Sequence, residues 1–227
     1  MNRWMRGLAA GGLALGVAGC VLPLNITIGD DGTHVRGSGH VVTVSRHVGS
    51  FDAIVASGAS TVVVERTGAE GVELTAEDNL LPYLETEVRG GVLYLGVKEG
   101  VNLSPRRDIL FYVESYEVVE VDASGAVSME LDVGWVPQLW VSLSGASHLL
   151  AWGEADEQDV SVSGASRHDA LDLQTRWTRV DASGASLADV WVGERLDVVA
   201  SGASHVRFRG SPEVRADVSG ASTVTRY

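Results

Sequence analysis

Serine side chains that stand beside glycine are the first residues of this sequence with the chemistry to act as nucleophiles. The tetrapeptide Ser-Gly-Ala-Ser occurs six times, and a seventh, imperfect copy reads Ser-Gly-Ala-Val. The copies begin at Ser57, Ser124, Ser144, Ser163, Ser183, Ser201 and Ser219. A hydrolase serine stands within Gly-x-Ser-x-Gly, on a turn from a strand into a helix. Because no copy has that pattern, we predict a structural role for these serines and no catalytic residue among them.

A pair of carboxylates is the second candidate for chemistry. Asp169 and Asp189 both stand six residues after the first serine of a copy. If the copies stack, the two side chains lie one rung apart, about 4.8 Å. Carboxylates at that distance couple their titrations and can serve acid–base chemistry or bind calcium. The favoured alternative is a solvated acidic pair that is neutralised by Arg207, which has the same position in the next copy.

Histidines offer no metal site in this arrangement. His148 and His205 share the position four residues after the serine. They lie three rungs apart, about 14 Å, which is too far to share a metal ion. His168 falls among apolar residues, and the chain has no Cys/His ligand set. We therefore predict no metal and no cofactor.

Aromatic side chains are the candidates for ligand binding. Trp152, Trp191 and Tyr227 stand eight residues after the first serine of their copies. That position should point outward, where a row of aromatics could stack sugar rings or receive a protein partner. The alternative is that these side chains form a second layer of core, because tryptophan is usually well buried.

The spacing of the motif indicates which elements position these side chains. From Ser124 onward the copies follow one another at steps of 20, 19, 20, 18 and 18 residues, a period typical of a solenoid. Apolar residues alternate on both sides of each copy, which predicts two short strands with one buried face. The motif would be the corner between them, where glycine permits a positive φ. The predicted corner glycines are Gly58, Gly125, Gly145, Gly164, Gly184, Gly202 and Gly220.

Two parts of the chain depart from this period. Between Ser57 and Ser124 the sequence is irregular, and Gly90-Gly91 between two strand-like runs predicts a hairpin. At the C-terminus, Arg226 stands where earlier copies carry buried apolar residues. A desolvated arginine would oppose end-to-end stacking, so we expect a monomer or a weak dimer through this end.

The N-terminus has the plan of a secretory signal peptide. Two arginines precede an apolar run that is too short to span a membrane comfortably, and the run ends in Val17-Ala18-Gly19-Cys20. This ending resembles a bacterial lipoprotein signal, with Val in place of the usual Leu. The resemblance implies cleavage after residue 19 and a lipid on Cys20, the only cysteine. The alternative is an ordinary signal peptide with an incidental cysteine. Residues 20–37 would then be a tether, and the absence of Asp after the cysteine favours the outer membrane or cell surface over the inner membrane.

The charge of the chain restricts its partners. The formal net charge is −13, and without residues 1–19 it becomes −15, because Arg3 and Arg6 are lost while all 30 acidic residues remain. Such a surface repels phosphate backbones, so we expect no nucleic acid partner. The expected partners are a membrane, through the lipid anchor, and a glycan or an envelope protein.

The order of several segments resembles a known bacterial family. The segments are FDAIVASGASTVVVE, GVELTAEDNLLPYLETEV, GGVLYLGV and the run of Ser-Gly-Ala-Ser copies. Together they look like the family named putative auto-transporter adhesin, head GIN domain, and the match covers roughly residues 38–227. The resemblance implies a right-handed parallel β-helix on a secreted or lipid-anchored protein, and it brings no catalytic residues.

The repeat period predicts an all-β fold, a β-solenoid with coils of about 18–20 residues and an irregular N-terminal part that contains a hairpin. The resemblance implies that this solenoid is a right-handed parallel β-helix. The solenoid domain would cover residues 38–227. The predicted function is that of a non-enzymatic, lipid-anchored envelope protein that acts as a binding, adhesion or scaffold module. The alternative is a lyase or hydrolase that acts on polysaccharides and uses the same scaffold.

Overall fold

The protein is almost entirely β-structure. The computed structural model describes residues 26–29 and 32–227. The strands are β1 Ile26–Gly29, β2 Gly32–Arg36, β3 Val41–Arg46, β4 Ala53–Arg66, β5 Gly71–Glu77, β6 Leu84–Arg89, β7 Val92–Val97, β8 Val101–Ser104, β9 Leu110–Ser115, β10 Glu120–Leu143, β11 His148–Val162, β12 Arg167–Ala182, β13 Leu187–Ala200, β14 His205–Gly210, β15 Glu213–Val218 and β16 Thr223–Arg226. One short 3-10 turn, Leu81–Tyr83, interrupts them. Cys20 and the predicted signal peptide lie outside the described residues.

The repeats pair in parallel and in register. β4, β10, β11, β12 and β13 follow one another as neighbours, and β13 then pairs with both β14 and β15. Residues three before each motif stack on one another, as in Val141, Val160, Val180, Val198 and Ala216. The alternating apolar columns read from the sequence are therefore the columns that fill the core, and most of their side chains are fully buried.

The motif forms the corner that the spacing indicated. Every corner glycine has a positive φ, between 70° and 91°. From Ala146 onward, the alanine of each motif donates its backbone N–H to the glycine carbonyl of the preceding copy, at 2.7 to 2.8 Å. The second serine is buried in the four central copies, as Ser147, Ser166, Ser186 and Ser204. Three of these hydroxyls bond to backbone carbonyls, as Ser147 does to Ser144 at 3.0 Å. Gly58 and Gly125 differ from the later glycines because β4 and β10 run through their corners without interruption.

The N-terminal part makes the large sheet mixed and leaves it open. β3 pairs antiparallel with β5, and β5 pairs antiparallel with β9, which then joins β4 in parallel. β6 and β7 form the hairpin expected at Gly90-Gly91. The segment 20–37, which shows no periodic pattern, contains β1 and β2, and these form a second sheet with β8. The described residues therefore give an all-β fold in which the repeats pair only in parallel and the N-terminal part combines parallel with antiparallel pairs.

Among the described residues, β15 and β16 end the series of parallel repeats. β15 and β16 carry exposed or half-buried residues throughout. Arg226 is exposed and donates to Oγ of Ser211 at 2.9 Å, so it lies at the rim of the end rather than in the core. Within the described residues there is no helix with the length and apolar character to cross a membrane.

Candidate functional site

The two candidate carboxylates lie in different environments. Asp169 and Asp189 are direct neighbours on β12 and β13, as expected. The side chain of Asp189 is fully buried, whereas that of Asp169 is 25% exposed, so the expectation of an exposed pair is wrong for Asp189. Arg207 donates to both oxygens of Asp189 at 2.5 Å. Arg167 lies between the two aspartates, at 3.0 Å from Asp169 and 3.3 Å from Asp189.

This network accounts for the carboxylates as structural groups. A buried carboxylate with a bidentate guanidinium partner is fully hydrogen-bonded, and removal of that partner takes away most of the compensation for its buried charge. The neutralisation by Arg207 that the repeat indicated is present, and Arg167 adds a second cation. Burial also denies a substrate access to Asp189. The pair therefore stabilises the C-terminal coils.

The histidines do not gather into a ligand set. His168 is buried between the apolar neighbours Leu149 and Ala188, as its column indicated. Its Nε2 lies 2.9 Å from Nε2 of Gln158. An amide N–H can donate only to an unprotonated ring nitrogen, and desolvation lowers the pKa of His168 to about 4. Across the described residues, no group of three or more His, Cys, Asp and Glu side chains is arranged to hold a metal ion.

The three aromatic residues that the sequence places in one column, Trp152, Trp191 and Tyr227, do not stack on one another. Trp152 pairs with Asp172, whereas Trp191 pairs with Gln174, because the register shifts at bulges after Leu150 and after Ala170. Trp152 and Trp191 are half-buried, and the guanidinium of Arg209 covers the ring of Trp191 at 4.5 Å. Tyr227 is 71% exposed at the chain end. These three side chains therefore do not form one continuous aromatic row.

Three other tryptophans are exposed instead. Trp135 is 51% exposed, Trp140 is 42% exposed and Trp177 is 47% exposed. All three lie between the register shift of their coil and the next motif. The alternation of buried and outward side chains is interrupted at residues 137–138 and 176–177, where two successive side chains are not buried. Trp177 lies at this interruption, Trp135 before it and Trp140 after it. We call them, with the side chains between them, the tryptophan face. Exposed aromatic patches of this kind commonly mark binding sites.

A carboxylate holds the central tryptophan in place. Glu194 accepts a hydrogen bond from Nε1 of Trp177 at 3.1 Å and another from Nε of Arg176 at 2.9 Å. The bond from Arg176, followed by the bond from Trp177, lowers the pKa of Glu194 below its ordinary value. The same pairing raises the pKa of Arg176. The ring of Trp177 is thereby oriented before any ligand arrives.

A shallow depression lies beside each of the three tryptophans. One lies beside Trp177 and Asp159, a second beside Trp140 and the same Asp159, and a third beside Trp135 and Glu194. Asp159 is the direct neighbour of Trp140 in the sheet and accepts a hydrogen bond from Gln138 at 3.1 Å. The surface thus alternates flat apolar rings with carboxylate acceptors, and it is open rather than enclosed.

The sequence does contain a pattern that indicates this face. It is missed when positions are counted forward from the preceding motif. Counted backward from the following motif, the position four residues before the serine holds Trp140, Asp159, Arg179, Asp197 and Arg215. These residues are paired neighbours in the sheet. Backward counting stays in register because every register shift, including the one between Thr175 and Trp177, precedes these positions.

Comparisons with solved structures support the fold. A putative adhesin from Bacteroides fragilis superposes with a TM-score of 0.64 at 14% identity, over 85% of this chain and 100% of that one. A putative lipid binding protein from Parabacteroides distasonis gives a TM-score of 0.55 at 19% identity, over 86% of this chain and 99% of that one. A putative adhesin from Parabacteroides distasonis gives 0.51 at 20% identity, over 86% and 100%. At these identities the likeness shows a shared fold.

The comparisons of the sequence with known proteins and families identify the family to which the chain belongs. No functionally curated protein matches the chain. The family model described as putative auto-transporter adhesin, head GIN domain, matches residues 50–212. That segment is more than half of the chain and holds all but the last Ser-Gly-Ala-Ser copy. The chain therefore belongs to the family of putative auto-transporter adhesins with a head GIN domain.

Proposed function

We propose that this protein is a non-enzymatic, lipid-anchored binding module of the bacterial cell envelope, and that its tryptophan face binds an uncharged glycan. The observation that carries the proposal is the exposure of Trp135, Trp140 and Trp177, each beside an open depression that also contains carboxylates. Membership of a family named for adhesins agrees with a binding role at the cell surface.

The chemistry of the face favours a neutral polyhydroxylated ligand. Flat aromatic rings offer apolar stacking surfaces, and carboxylate oxygens accept hydrogen bonds from hydroxyl groups. The arginines on this surface are already paired, as Arg179 is with Asp181 and Arg195 is with Asp197. Among these residues no arginine is left unpaired to bind an anionic ligand, and the chain is strongly acidic. Phosphate-rich ligands are therefore disfavoured.

The scaffold is proposed to be a right-handed β-solenoid. The parallel, in-register pairing of successive copies supports this arrangement, and crossover connections between parallel strands are right-handed in nearly all proteins. A solenoid of this type presents long, flat outer faces on which side chains recur at the rung spacing. Such a face suits an extended polymer better than a small molecule.

The lipid anchor is proposed from the sequence alone. Val17-Ala18-Gly19-Cys20 resembles a lipoprotein signal, and several acyl chains on one residue would hold the protein on a bilayer surface. Cys20→Ala should move the protein from the membrane fraction to the soluble or uncleaved fraction. Equal membrane fractionation of the variant and the wild type would contradict the anchor.

The binding proposal is tested with soluble protein that lacks residues 1–19, on an array of neutral and acidic glycans. Trp140→Ala and Trp177→Ala should each weaken binding of the selected neutral glycan by 10-fold or more, on the order of the 1–3 kcal/mol that one stacked aromatic contributes. Tyr227→Ala is the matched control, since it removes an exposed aromatic ring outside the face. Loss of binding with Tyr227→Ala alone would place the site at the chain end and contradict the proposal.

The same assay checks the non-enzymatic part. The glycan recovered after prolonged incubation should keep its chain length. Shortened glycan would support the alternative of an enzyme that acts on polysaccharides. In that case the carboxylates around Trp177, rather than the buried Asp189, would be the first residues to replace.

A further inference from the structure

The open end of the stack exposes residues that are core everywhere else. Val214 is 38% exposed and Val218 is 43% exposed on β15. Their neighbours one rung earlier, Leu196 and Ala200, are 0% and 1% exposed. Among the described strands, β15 pairs with β13 alone. An apolar edge strand with no cover is a template for pairing with another strand.

The direction of the free hydrogen-bonding groups on β15 follows from its pairing with β13. The N–H of Ser219, just after the strand, donates to the carbonyl of Ala200 at 2.8 Å. In a parallel pair the N–H and C=O groups of one residue point to the same side, and successive residues alternate. The odd-numbered residues of β15 therefore face β13. Val214, Ala216 and Val218 direct their backbone groups to the open edge.

The sequence of this edge is complementary to itself. Val214-Arg215-Ala216-Asp217-Val218 reads the same from either end, except that the two charges have opposite signs. If two copies pair antiparallel about a two-fold axis at Ala216, Arg215 lies opposite the Asp217 of the second copy. Val214 then lies opposite Val218. Opposite charges and apolar pairs directly across from each other stabilise antiparallel strands.

Other registers lack this match. An axis at Arg215 would place Glu213 opposite Asp217, which is a like-charge pair. An axis at Asp217 would place Arg215 opposite Ser219. With the axis at Ala216, the charged residues fall in the pairs that do not share hydrogen bonds, where facing side chains lie closest. Within the described residues Asp217 has no ion-pair partner, whereas Arg215 contacts only the exposed Glu213, at 3.0 Å.

We propose that β15 is a homophilic docking strand, which pairs antiparallel with β15 of a second copy about Ala216. The other terminal strand, β16, is blunted by Arg226, so β15 is the edge that remains available. The interface is a single strand pair, so the dimer is weak in solution and gains strength when many copies are presented together.

The position of β15 in the fold decides how two anchored copies would be oriented in the dimer. β15 pairs with β13 beside β14 and β16, which end the strand order on one side, and β3 ends it on the other. An axis at β15 therefore places the N-terminal parts of the two copies on opposite sides of the dimer. With the lipid anchor that the proposed function includes, copies on two facing surfaces would meet through their C-terminal ends.

The test uses charge reversal in two single variants, with the full chain after residue 19. Arg215→Asp places a new carboxylate opposite Asp217 of the other copy, and Asp217→Arg places a new guanidinium opposite Arg215. Sedimentation velocity over a concentration series should show a dimer for the wild type and its loss in each variant alone. An equimolar mixture of the two variants should restore a heterodimer, because every facing pair is then of opposite sign.

The mixing experiment separates docking from misfolding. A variant that is merely unfolded cannot regain a partner on mixing, and circular dichroism melts record whether each variant folds. The same proteins coupled to beads through their N-termini should cluster as wild type, fail to cluster as single variants, and cluster when the two variant beads are mixed. This readout requires no glycan and no lipid, so it can fail while the proposed function stands.

Three results would overturn the proposal. The first is a wild type that stays monomeric at every concentration and does not cluster on beads. The second is a variant that dimerises like the wild type. The third is a monomeric wild type whose Ala216 amide is protected from hydrogen exchange, because another segment of the same chain would then cover β15.

Discussion

At the scale of single residues, two constraints select glycine at the corner: the space left by the stacked coil and the positive φ. A Cβ built on Gly184 would lie 2.6 Å from the carbonyl oxygen of Gly164 on the preceding coil, and Gly184 also has a φ of +76°. Gly58 shares the positive φ, at +90°, but its nearest neighbour, a methyl of Val97, is 3.9 Å from such a Cβ. The first corner therefore has the backbone strain without the close approach of a stacked coil.

This difference gives a matched pair of substitutions. Gly58→Ala should cost about 1–2 kcal/mol, the penalty of a left-handed backbone for a residue with a Cβ. Gly184→Ala should cost roughly 1–3 kcal/mol more, because the stacked coil must also shift. Chemical denaturation of both variants measures the difference. Equal losses would mean that the stacking contact contributes nothing to the choice of glycine.

His168 predicts a pH dependence of stability. Its pKa is lowered from 6.5 to about 4 by desolvation, so between these values the unfolded chain binds a proton that the folded protein does not. The free energy of unfolding should therefore fall as the pH decreases from about 6.5 to about 4, by up to about 1.4 kcal/mol per pH unit. Above pH 6.5 this histidine has no effect on the pH profile.

The measurement compares pH profiles of stability for three proteins. His168→Leu should flatten the profile in this window relative to the wild type, even if the loss of the Gln158 contact changes its absolute stability. His205→Leu, which alters an exposed histidine, should leave the slope as it is. An unchanged slope in His168→Leu would assign the acid sensitivity to other groups.

At the scale of elements, the sequence predicts the strands of each coil but not their bulges. Apolar alternation identifies the buried columns on both sides of the motif, because period 2 is a property of the strand itself. A bulge adds one residue to one strand and shifts every later position. Counting forward from each motif therefore places Trp152 and Trp191 in one column, which the structure does not contain. Trp140 and Trp177 come after the bulges, so they keep their register with the next motif.

Burial of individual positions is also decided between elements. Asp169 and Asp189 have the same place in their coils, yet only Asp189 is covered, because Arg207 and Arg167 both reach it. Asp189→Ala should destabilise the protein by about 1–3 kcal/mol, since it leaves the partly exposed guanidinium groups of Arg207 and Arg167 without their buried carboxylate partner. Asp169→Ala should cost less than about 1 kcal/mol, as for an exposed ion pair.

Thermal or chemical denaturation of the two aspartate variants checks this ranking. The two substitutions are chemically identical and lie on adjacent rungs, so the comparison isolates burial. A loss for Asp169→Ala as large as that for Asp189→Ala would show that the pair acts as one unit. The coupled carboxylates considered from the sequence would then need a new account.

At the scale of the whole molecule, the regular half of the fold could be read from the sequence, whereas in the irregular half only the hairpin at Gly90-Gly91 could be. A fixed period repeats the same information several times, so one alignment places all of the later coils. The N-terminal part has a single copy of each strand, and its antiparallel pairs β3–β5 and β5–β9 join residues that no local pattern links. β1 and β2 arise in a segment whose composition indicates a tether.

The proposed solenoid makes a prediction that no compact sandwich would share. Deletion of residues 164–183 joins Ser163 to Gly184, which preserves the motif and removes one whole coil. The register of β11 with β12 and of β12 with β13 allows β11 to meet β13 directly after the deletion. Because each coil of a solenoid contacts only its neighbours, the shortened protein should remain folded, with a lower melting temperature.

Deletion of residues 167–176 is the matched control, since it removes only about half a coil. In this variant the corner at Ser166 is joined directly to the second half of the coil. The remaining part of β12 then cannot pair in register with both β11 and β13. We expect that this variant does not fold, although it loses fewer residues. Circular dichroism and gel filtration distinguish the two results. If the half-coil deletion is as stable as the whole-coil deletion, the coils are not interchangeable rungs, and the solenoid proposal fails.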